Sequence, residues 1–294
     1  MSEPFFSIVI PTYNRSEFIR KTIDSVLSQS FQDFEVIVVD DGSTDNTEEV
    51  VKLIDDKRIH YYKKENGERA AARNFGAVLS KGQFINFLDS DDLLYPHHLD
   101  TAKKFVEKNN AADAFHLGYE IKNDIGDIRV INNIRSVNEQ IVNGNLLSCN
   151  GVFVRRDVLI KNPFNEDRAL SSLEDWELWI RLSARYPFLN DNLITSTIVQ
   201  HDSRSVMTVD TAKIKTKVDR FVHYVTNDEQ NRKYYGHRLN KAVASAFTYA
   251  SLHLAMANEN KREVLHYLWK GVKVHPSEIM KKRFFVILKK LIGL

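Results

Sequence analysis

The sequence predicts an α/β fold, a mostly parallel central sheet flanked by helices, with a C-terminal helical appendage. Three observations predict it. Four short apolar, β-rich runs alternate with helix-like stretches over the first hundred residues, strand signals stop after about Thr208, and periodic helical segments fill the rest. With 294 residues, 43% of them hydrophobic, the chain can bury a large core as one domain or two.

In chain order, residues 7–10 read as the first strand. Ser16 is placed to cap a helix that turns Ile19, Ile23, Val26 and Leu27 to one face. Residues 35–39 form the second strand, followed by Asp45 and Glu48 at the spacing of a capping box. Residues 59–62 and 84–88 are the third and fourth strands, and Pro96 opens the next helix. This is the spacing of βαβ units. Patterns in 112–154 are shorter and more polar; 171–186 then reads as a helix and 193–200 as a strand, so the second half is α+β. Residues 211–225, 236–257 and 261–274 read as successive helices, with Pro276 before a final one. The expected division is 1–208, in halves at 1–98 and 99–208, followed by a helical region at 209–294.

Composition removes several classes. No run approaches the roughly 20 apolar residues of a membrane span, and Met1-Ser2-Glu3-Pro4 has no basic region leading into an apolar one, so a cytoplasmic location is expected. The single Cys149, in the apolar context Leu146-Leu147-Ser148, reads as a small buried residue rather than a nucleophile. The net charge of +2 hides an asymmetry: residues 261–294 carry nine Lys and Arg against two Glu, a surplus of seven that leaves residues 1–260 at −5. No zinc spacing or RNP-like strand accompanies that basic charge, so no nucleic-acid partner is expected.

Chemistry concentrates at strand ends. The run 84–88 delivers Asp89, Asp91 and Asp92 to one point, where mutual repulsion is costly unless a cation sits there. Ligands in open α/β sheets collect at the carboxyl ends of strands, and an all-oxygen site suits Mg²⁺ or Mn²⁺ shared with substrate phosphates. A solvated acidic loop capping the next helix is the structural alternative. The first strand ends in Pro11-Thr12-Tyr13-Asn14-Arg15 without either glycine fingerprint of dinucleotide or P-loop folds, so Tyr13 is read as stacking on a base or as packing. The second ends in Asp40-Asp41-Gly42-Ser43-Thr44-Asp45, whose carboxylates accept from a base or ribose or cap the following helix.

The ordered set Ser7-Ile8-Val9-Ile10-Pro11-Thr12-Tyr13-Asn14, Val38-Val39-Asp40-Asp41-Gly42-Ser43-Thr44-Asp45, Ala72-Arg73-Asn74 with Gly76, and Phe87-Leu88-Asp89-Ser90-Asp91-Asp92 resembles the nucleotide-binding half of family 2 glycosyltransferases. The resemblance implies the GT-A fold, with 1–98 as the nucleotide half and 99–208 as the acceptor half. By that resemblance, Pro11, Tyr13 and Asp41 surround the base, with Arg15 nearby, Asp40 supports their loop, and Arg73 lies near the nucleotide. Asp89 and Asp91 match the D-x-D motif, Asp91 as metal ligand and Asp89, with Ser90 beside it, nearer the ribose; Asp92 extends the cluster. Ser172-Leu173-Glu174-Asp175-Trp176 is similar to the segment whose aspartate is the general base, here Asp175, although first-turn acids also favour a helix start unaided. His201, with Asp202-Ser203-Arg204-Ser205 after it, resembles the H-x-x-S-x-S segment whose histidine reaches the metal or diphosphate; Gln200 departs from the basic residue many relatives carry there.

The expected protein is therefore an inverting glycosyltransferase using Mn²⁺ or Mg²⁺. It would move a sugar from a nucleotide-sugar donor, a UDP-sugar, to a glycan or lipid-linked acceptor. A non-catalytic nucleotide- or carbohydrate-binding protein and a metal-dependent nucleotidyltransferase are the alternatives. A last helix placing Met280, Phe284, Ile287, Leu288 and Leu291 on one face, with Lys281, Lys282, Lys289 and Lys290 at its margins, predicts either peripheral contact of 278–294 with the cytoplasmic membrane face or docking on preceding helices.

Overall fold

The computed structural model describes residues 3–109, 112–123, 126, 128–131, 133–201 and 211–293. It divides into two compact units. One comprises Met1–Val137, Leu147–Arg168 and Tyr186–Asp202; the other comprises Asn138–Leu146, Ala169–Arg185 and Ser203–Leu294.

The first unit runs β1 (Phe6–Thr12), α1 (Ile19–Leu27), β2 (Phe34–Asp40), α2 (Thr47–Lys52), β3 (Ile59–Lys63), α3 (Glu68–Leu79), β4 (Phe84–Phe87), β5 (Leu93–Leu94), α4 (His98–Lys108), β6 (Ala114–Asn123) and β7 (Ile128–Ile131). Its later segments supply β8 (Val152–Arg155), α6 (Arg156–Lys161) and the long β9 (Phe188–Gln200), while the short α5 (Val137–Gln140) runs across the boundary into the second unit. Among the described residues one sheet of order β3-β2-β1-β4-β8-β6-β9-β5, with β7 beside β6, joins the nine strands. The strands read from the first hundred residues, β3-β2-β1-β4, are mutually parallel. Antiparallel pairing enters at β8, where Phe84 faces Arg155, and again between β6 and β8 and between β5 and β9.

Chain order reverses at β1, which lies between β2 and β4, so a crevice opens above its carboxyl end. The pairing of β1 with β4 stops at Val9–Phe87, while that with β2 continues to Thr12–Asp40. Pro11, which has no N–H to give, thus falls where the β4 side of the ladder has ended. Phe6, Ile8, Ile10, Val36 and Val38 point to one face and pack with Ile19, Ile23 and Val26 of α1. Each such fully buried side chain contributes about 1.5–3 kcal/mol. On the other face α3 lies so close to the sheet that a Cβ at Gly76 would stand 2.4 Å from Val9 Cγ1 and 3.1 Å from Val39 Cγ2. Only glycine permits that approach.

Two cap expectations are corrected. Ser16 caps nothing: α1 begins at Ile19 without a side-chain cap, and the Ser16 N–H donates to Asp45 Oδ2 at 3.1 Å. Asp45 does accept from the Thr47 N–H at 3.0 Å, but Glu48 does not return to the backbone; it pairs with Lys52 at 2.7 Å and Lys63 at 3.1 Å. The competing lysines win because α2 is short and exposed.

The second unit is helical: α7 (Glu174–Ser183), α8 (Thr211–Asn227), α9 (Glu229–Tyr235), α10 (Leu239–Met256), α11 (Lys261–Val274) and α12 (Lys282–Leu291). The sequence EQNRKYY of α9 has no apolar stripe, which is why periodicity passes over it; Asp228 caps it by accepting from the Asn231 N–H. The alanine-rich α10 is buried along most of its length and packs with α8, α11 and α12. Of the face expected on the last helix, Ile287 is fully buried, whereas Met280 is 80% exposed.

Candidate active site

The crevice above β1 is lined by two loops laced together. Asn14 takes φ 50°, a left-handed conformation asparagine tolerates, and its Oδ1 accepts from the Thr44 N–H at 2.8 Å. The N–H groups of Asn14 and Arg15 donate to Ser43 Oγ at 2.9 Å and Thr47 Oγ1 at 3.0 Å. Burial alone would raise the Asp45 carboxyl, but hydrogen bonds from Thr47 and Ser16 outweigh it and hold the group below the ordinary carboxylate value. Asp40, fully buried at the end of β2, accepts from the Ser43 N–H at 2.7 Å and the Tyr61 hydroxyl at 2.5 Å. Burial first, then Asp40 itself, keeps that phenol protonated. Asp41 Oδ1 accepts from Lys64 Nζ at 2.7 Å and from the Gly67 N–H at 2.9 Å. Pro11 is buried beneath, and Tyr13 projects with 47% of its surface exposed.

Opposite these loops, β4 ends in the turn Asp89-Ser90-Asp91-Asp92, closed by the Asp92 N–H on the Asp89 carbonyl at 3.0 Å. Asp89 Oδ1 accepts from Nη2 of the buried Arg73 at 2.8 Å. Arg73 reaches it because Gly76 lets α3 lie close on the sheet, while the adjacent Asn74 ties the Phe164 backbone at 2.9 Å in both directions. Ser90 is buried in the turn. Asp91 Oδ2 stands 3.1 Å from His201 Nε2 and 3.7 Å from Arg15 Nε. The His201 ring stacks on Phe18, centroids 4.3 Å apart. Asp92, expected as an extension of the acidic cluster, instead accepts from the Val199 N–H at 3.1 Å. That bond holds the end of β9 beside the turn and so places His201 two residues on. Arg204 lies outside the described residues.

Arg73 on Asp89 and Arg15 beside Asp91 thus offset carboxylate repulsion that the sequence alone assigned to a metal. Among the described residues no group of three or more His, Cys, Asp or Glu side chains is arranged to hold an ion. The pair Asp91–His201 fits one nonetheless. Ligands on adjacent octahedral positions at about 2.0–2.1 Å lie roughly 3 Å apart, and Mg²⁺-type ions complete their shell with water and substrate phosphate.

In the second unit Asp175 occupies the first turn of α7. Its Oδ1 accepts from the Trp176 N–H at 2.7 Å and its Oδ2 from Asn145 Nδ2 at 3.0 Å. Trp176 is buried, stacked on Phe221 at 4.4 Å with Nε1 donating to the Ile141 carbonyl, so it is core and not a sugar platform. Burial and then the Asp175 charge push Tyr249 up to about 12. Tyr61, Lys64 and Asn145 belong to no local motif and reach the site by tertiary pairing alone.

Residues 7–159, over half of the chain, match the family model described as Glycosyl transferase family 2. The chain belongs to glycosyl transferase family 2. This family 2 chain is 32% identical over 250 residues to an uncharacterized glycosyltransferase of Rickettsia felis, covering 81% of this chain and 40% of that protein. It is 31% identical over 215 residues to the chondroitin synthase of Pasteurella multocida, covering 71% of this chain and 22% of that protein. The chain spans well under half the length of these relatives. Among solved structures it is similar to S. aureus TarS 1–349 in complex with UDP-GlcNAc, with TM-score 0.74, 19% identity, and coverage of 98% of this chain and 88% of that one. It is also similar to the mannosyltransferase PcManGT from Pyrobaculum calidifontis in complex with GDP-Man and Mn²⁺, with TM-score 0.61, 18% identity, and coverage of 99% and 86%. These likenesses show the GT-A fold that the resemblance implied.

Proposed function

We propose that this family 2 chain is an inverting glycosyltransferase that moves a sugar from a nucleotide-diphosphate donor, a UDP-sugar, to a hydroxyl of a glycan or lipid-linked acceptor. The observation that carries the reading is the convergence of Arg15, Asp91 and His201 beside the Arg73–Asp89 pair, at the sheet's reversal point in a family 2 chain. TarS in complex with UDP-GlcNAc supports the choice of donor class, and PcManGT with Mn²⁺ supports a divalent ion.

In this reading Tyr13 offers its ring to the base and Asp41 accepts from a base N–H, over Pro11 and a loop that Asp40 holds rigid. Asp89, oriented by Arg73, accepts from a ribose hydroxyl, with Ser90 beside it, and Arg15 faces the diphosphate. Asp91 and His201 hold Mn²⁺ or Mg²⁺, which when bound supplies positive charge against the leaving diphosphate. Asp175 takes the proton of the acceptor hydroxyl as its oxygen bonds to the anomeric carbon. The bond from that carbon to the phosphate oxygen breaks on the opposite face, its electron pair leaves with the nucleoside diphosphate, and the configuration inverts.

Among the described residues no helix is long and apolar enough to cross a membrane. On α12 Ile287 is buried while Phe285 and Leu288 are 60% and 37% exposed, as is Ile292 just beyond the helix at 70%, in a segment rich in lysine. The outward face fits peripheral contact with an anionic cytoplasmic membrane surface. This place would suit a lipid-linked acceptor.

The deciding experiment is a thermal-shift panel of UDP-GlcNAc, UDP-glucose and GDP-mannose with Mn²⁺, Mg²⁺ or chelator. A ligand that binds only the folded state raises the midpoint by mass action. Product analysis then separates free nucleoside diphosphate, expected here, from pyrophosphate, which would mark a nucleotidyltransferase. No midpoint shift with any nucleotide sugar would sink the proposal; a shift without turnover would favour a binding protein.

A further inference from the structure

We infer that the segment after α11 positions the candidate base: Lys281 and Asn145 form a relay that fixes the Asp175 carboxylate. The inference rests on reading Asp175 as the base, and all its contacts lie in the second unit. Glu278, 1% exposed, accepts from the Thr248 hydroxyl at 2.8 Å and pairs with Lys281 at 2.5 Å. Lys281 Nζ also donates to the Asn143 carbonyl at 3.0 Å, where Ser245 Oγ donates as well at 3.3 Å. Arg283 Nη1 donates to the Ser245 carbonyl at 2.9 Å, tying the start of α12 to the same stretch of α10.

These bonds hold the turn Ile141–Asn143 from one side, and Trp176 Nε1 holds it from the other by donating to the Ile141 carbonyl at 2.7 Å. Two residues beyond Asn143, Asn145 Nδ2 donates to Asp175 Oδ2 at 3.0 Å while the Trp176 N–H holds Oδ1 at 2.7 Å. One donor on each carboxylate oxygen fixes the plane of the group. A loop pinned at 141 and 143 presents the amide at 145; an unpinned one would let it swing. The geometry makes Asn145 and Lys281 positioning residues, acting through Asp175 and not on substrate.

The test uses the whole chain, the nucleotide sugar selected in the donor panel, Mn²⁺, and water as acceptor, reading nucleoside diphosphate release. Asn145→Ala is expected to lower kcat about tenfold with donor KM unchanged. Lys281→Met alone would strand a buried carboxylate, so it is paired with Glu278→Gln; the double variant is expected to lose about fivefold in kcat, and Lys281→Arg to recover most of that loss. Hydrogen exchange over 141–146 is expected to rise in the double variant and to stay unchanged in Asn145→Ala. The inference is overturned if Asp175→Asn abolishes release while these variants stay within twofold of the parent, or if donor KM moves in place of kcat. If Asp175→Asn remains active, the base reading itself has failed and the relay falls with it.

Discussion

Asp91 Oδ2 lies 3.1 Å from His201 Nε2 although 110 positions separate them along the chain. The sheet makes the pair. Leu93 of β5 stands opposite Thr197 of β9, and Asp92 clasps the Val199 N–H, so the end of β9 has no choice but to deliver residue 201 to the acidic turn.

That pairing gives the first prediction. Turnover needs a divalent ion and stops in excess chelator; Asp91→Ala abolishes it, and His201→Ala weakens the Mn²⁺ response, both with native circular dichroism. Full activity in chelator, or an unimpaired Asp91→Ala protein, would rule out metal assistance.

Replacing Asp175 by Asn keeps the shape and one of the two accepted hydrogen bonds but removes the proton acceptor. Donor binding should survive while transfer falls by roughly 10²–10⁴-fold, and Glu174→Gln should do less. Equal, mild losses in both would mean that the acids merely favour the start of α7.

Gly76→Ala should destabilise the protein by about 1–3 kcal/mol, because a methyl group 2.4 Å from Val9 Cγ1 must push α3 off the sheet. Urea unfolding measures the cost, and nucleotide affinity should fall in the same variant since Arg73 rides on α3. An unchanged urea midpoint would contradict the packing described.

Acid should weaken the fold below pH 6.5. His98 and His116 are fully buried, and burial holds both at about 3 against an ordinary 6.5. Above 6.5 folded and unfolded chains are alike neutral at these positions and the stability is intact. As pH falls toward 3 only the unfolded chain gains protons, so stability drops by up to about 1.4 kcal/mol per unit for each histidine. Urea midpoints at pH 7.5 and 5.0 read this directly, with His116→Gln expected to remove about half of the difference; equal midpoints in the parent would refute it.

Anionic liposomes at low salt should sediment the chain, less so at high salt, and a chain ending at His275 should stay in solution. The truncation also removes Lys281, so Phe285→Ser with Ile292→Ser is the companion variant: it strips exposed apolar residues alone and should lose sedimentation too. A parent chain that remains in the supernatant at low salt would end the membrane proposal.

The strands around the crevice were legible in the sequence because each is a compact apolar run ended by acids, and Asp40, Asp41, Asp89 and Asp91 sit where those runs stop. What escaped reading is long-range. Nothing near residue 155 announces that β8 pairs antiparallel with β4, since register depends on the facing strand. Asn145, in a loop of ordinary polar composition, gains meaning only through the turn that sets it on Asp175. Ser16 was misread because its own neighbours suggest a cap, while the partner that claims its N–H, Asp45, lies 29 residues on.

The lacing of residues 14–16 to 43–47 has a kinetic side. Each N–H of that run already has an oxygen partner within the protein. A nucleotide arriving at the crevice therefore meets a surface whose conformational freedom was surrendered during folding, not one that must be quenched on contact. Association should then proceed as a single encounter step, its rate set by diffusion and by the charges of Arg15 and Lys64 and falling with ionic strength, without the slow second phase of a loop that closes after capture.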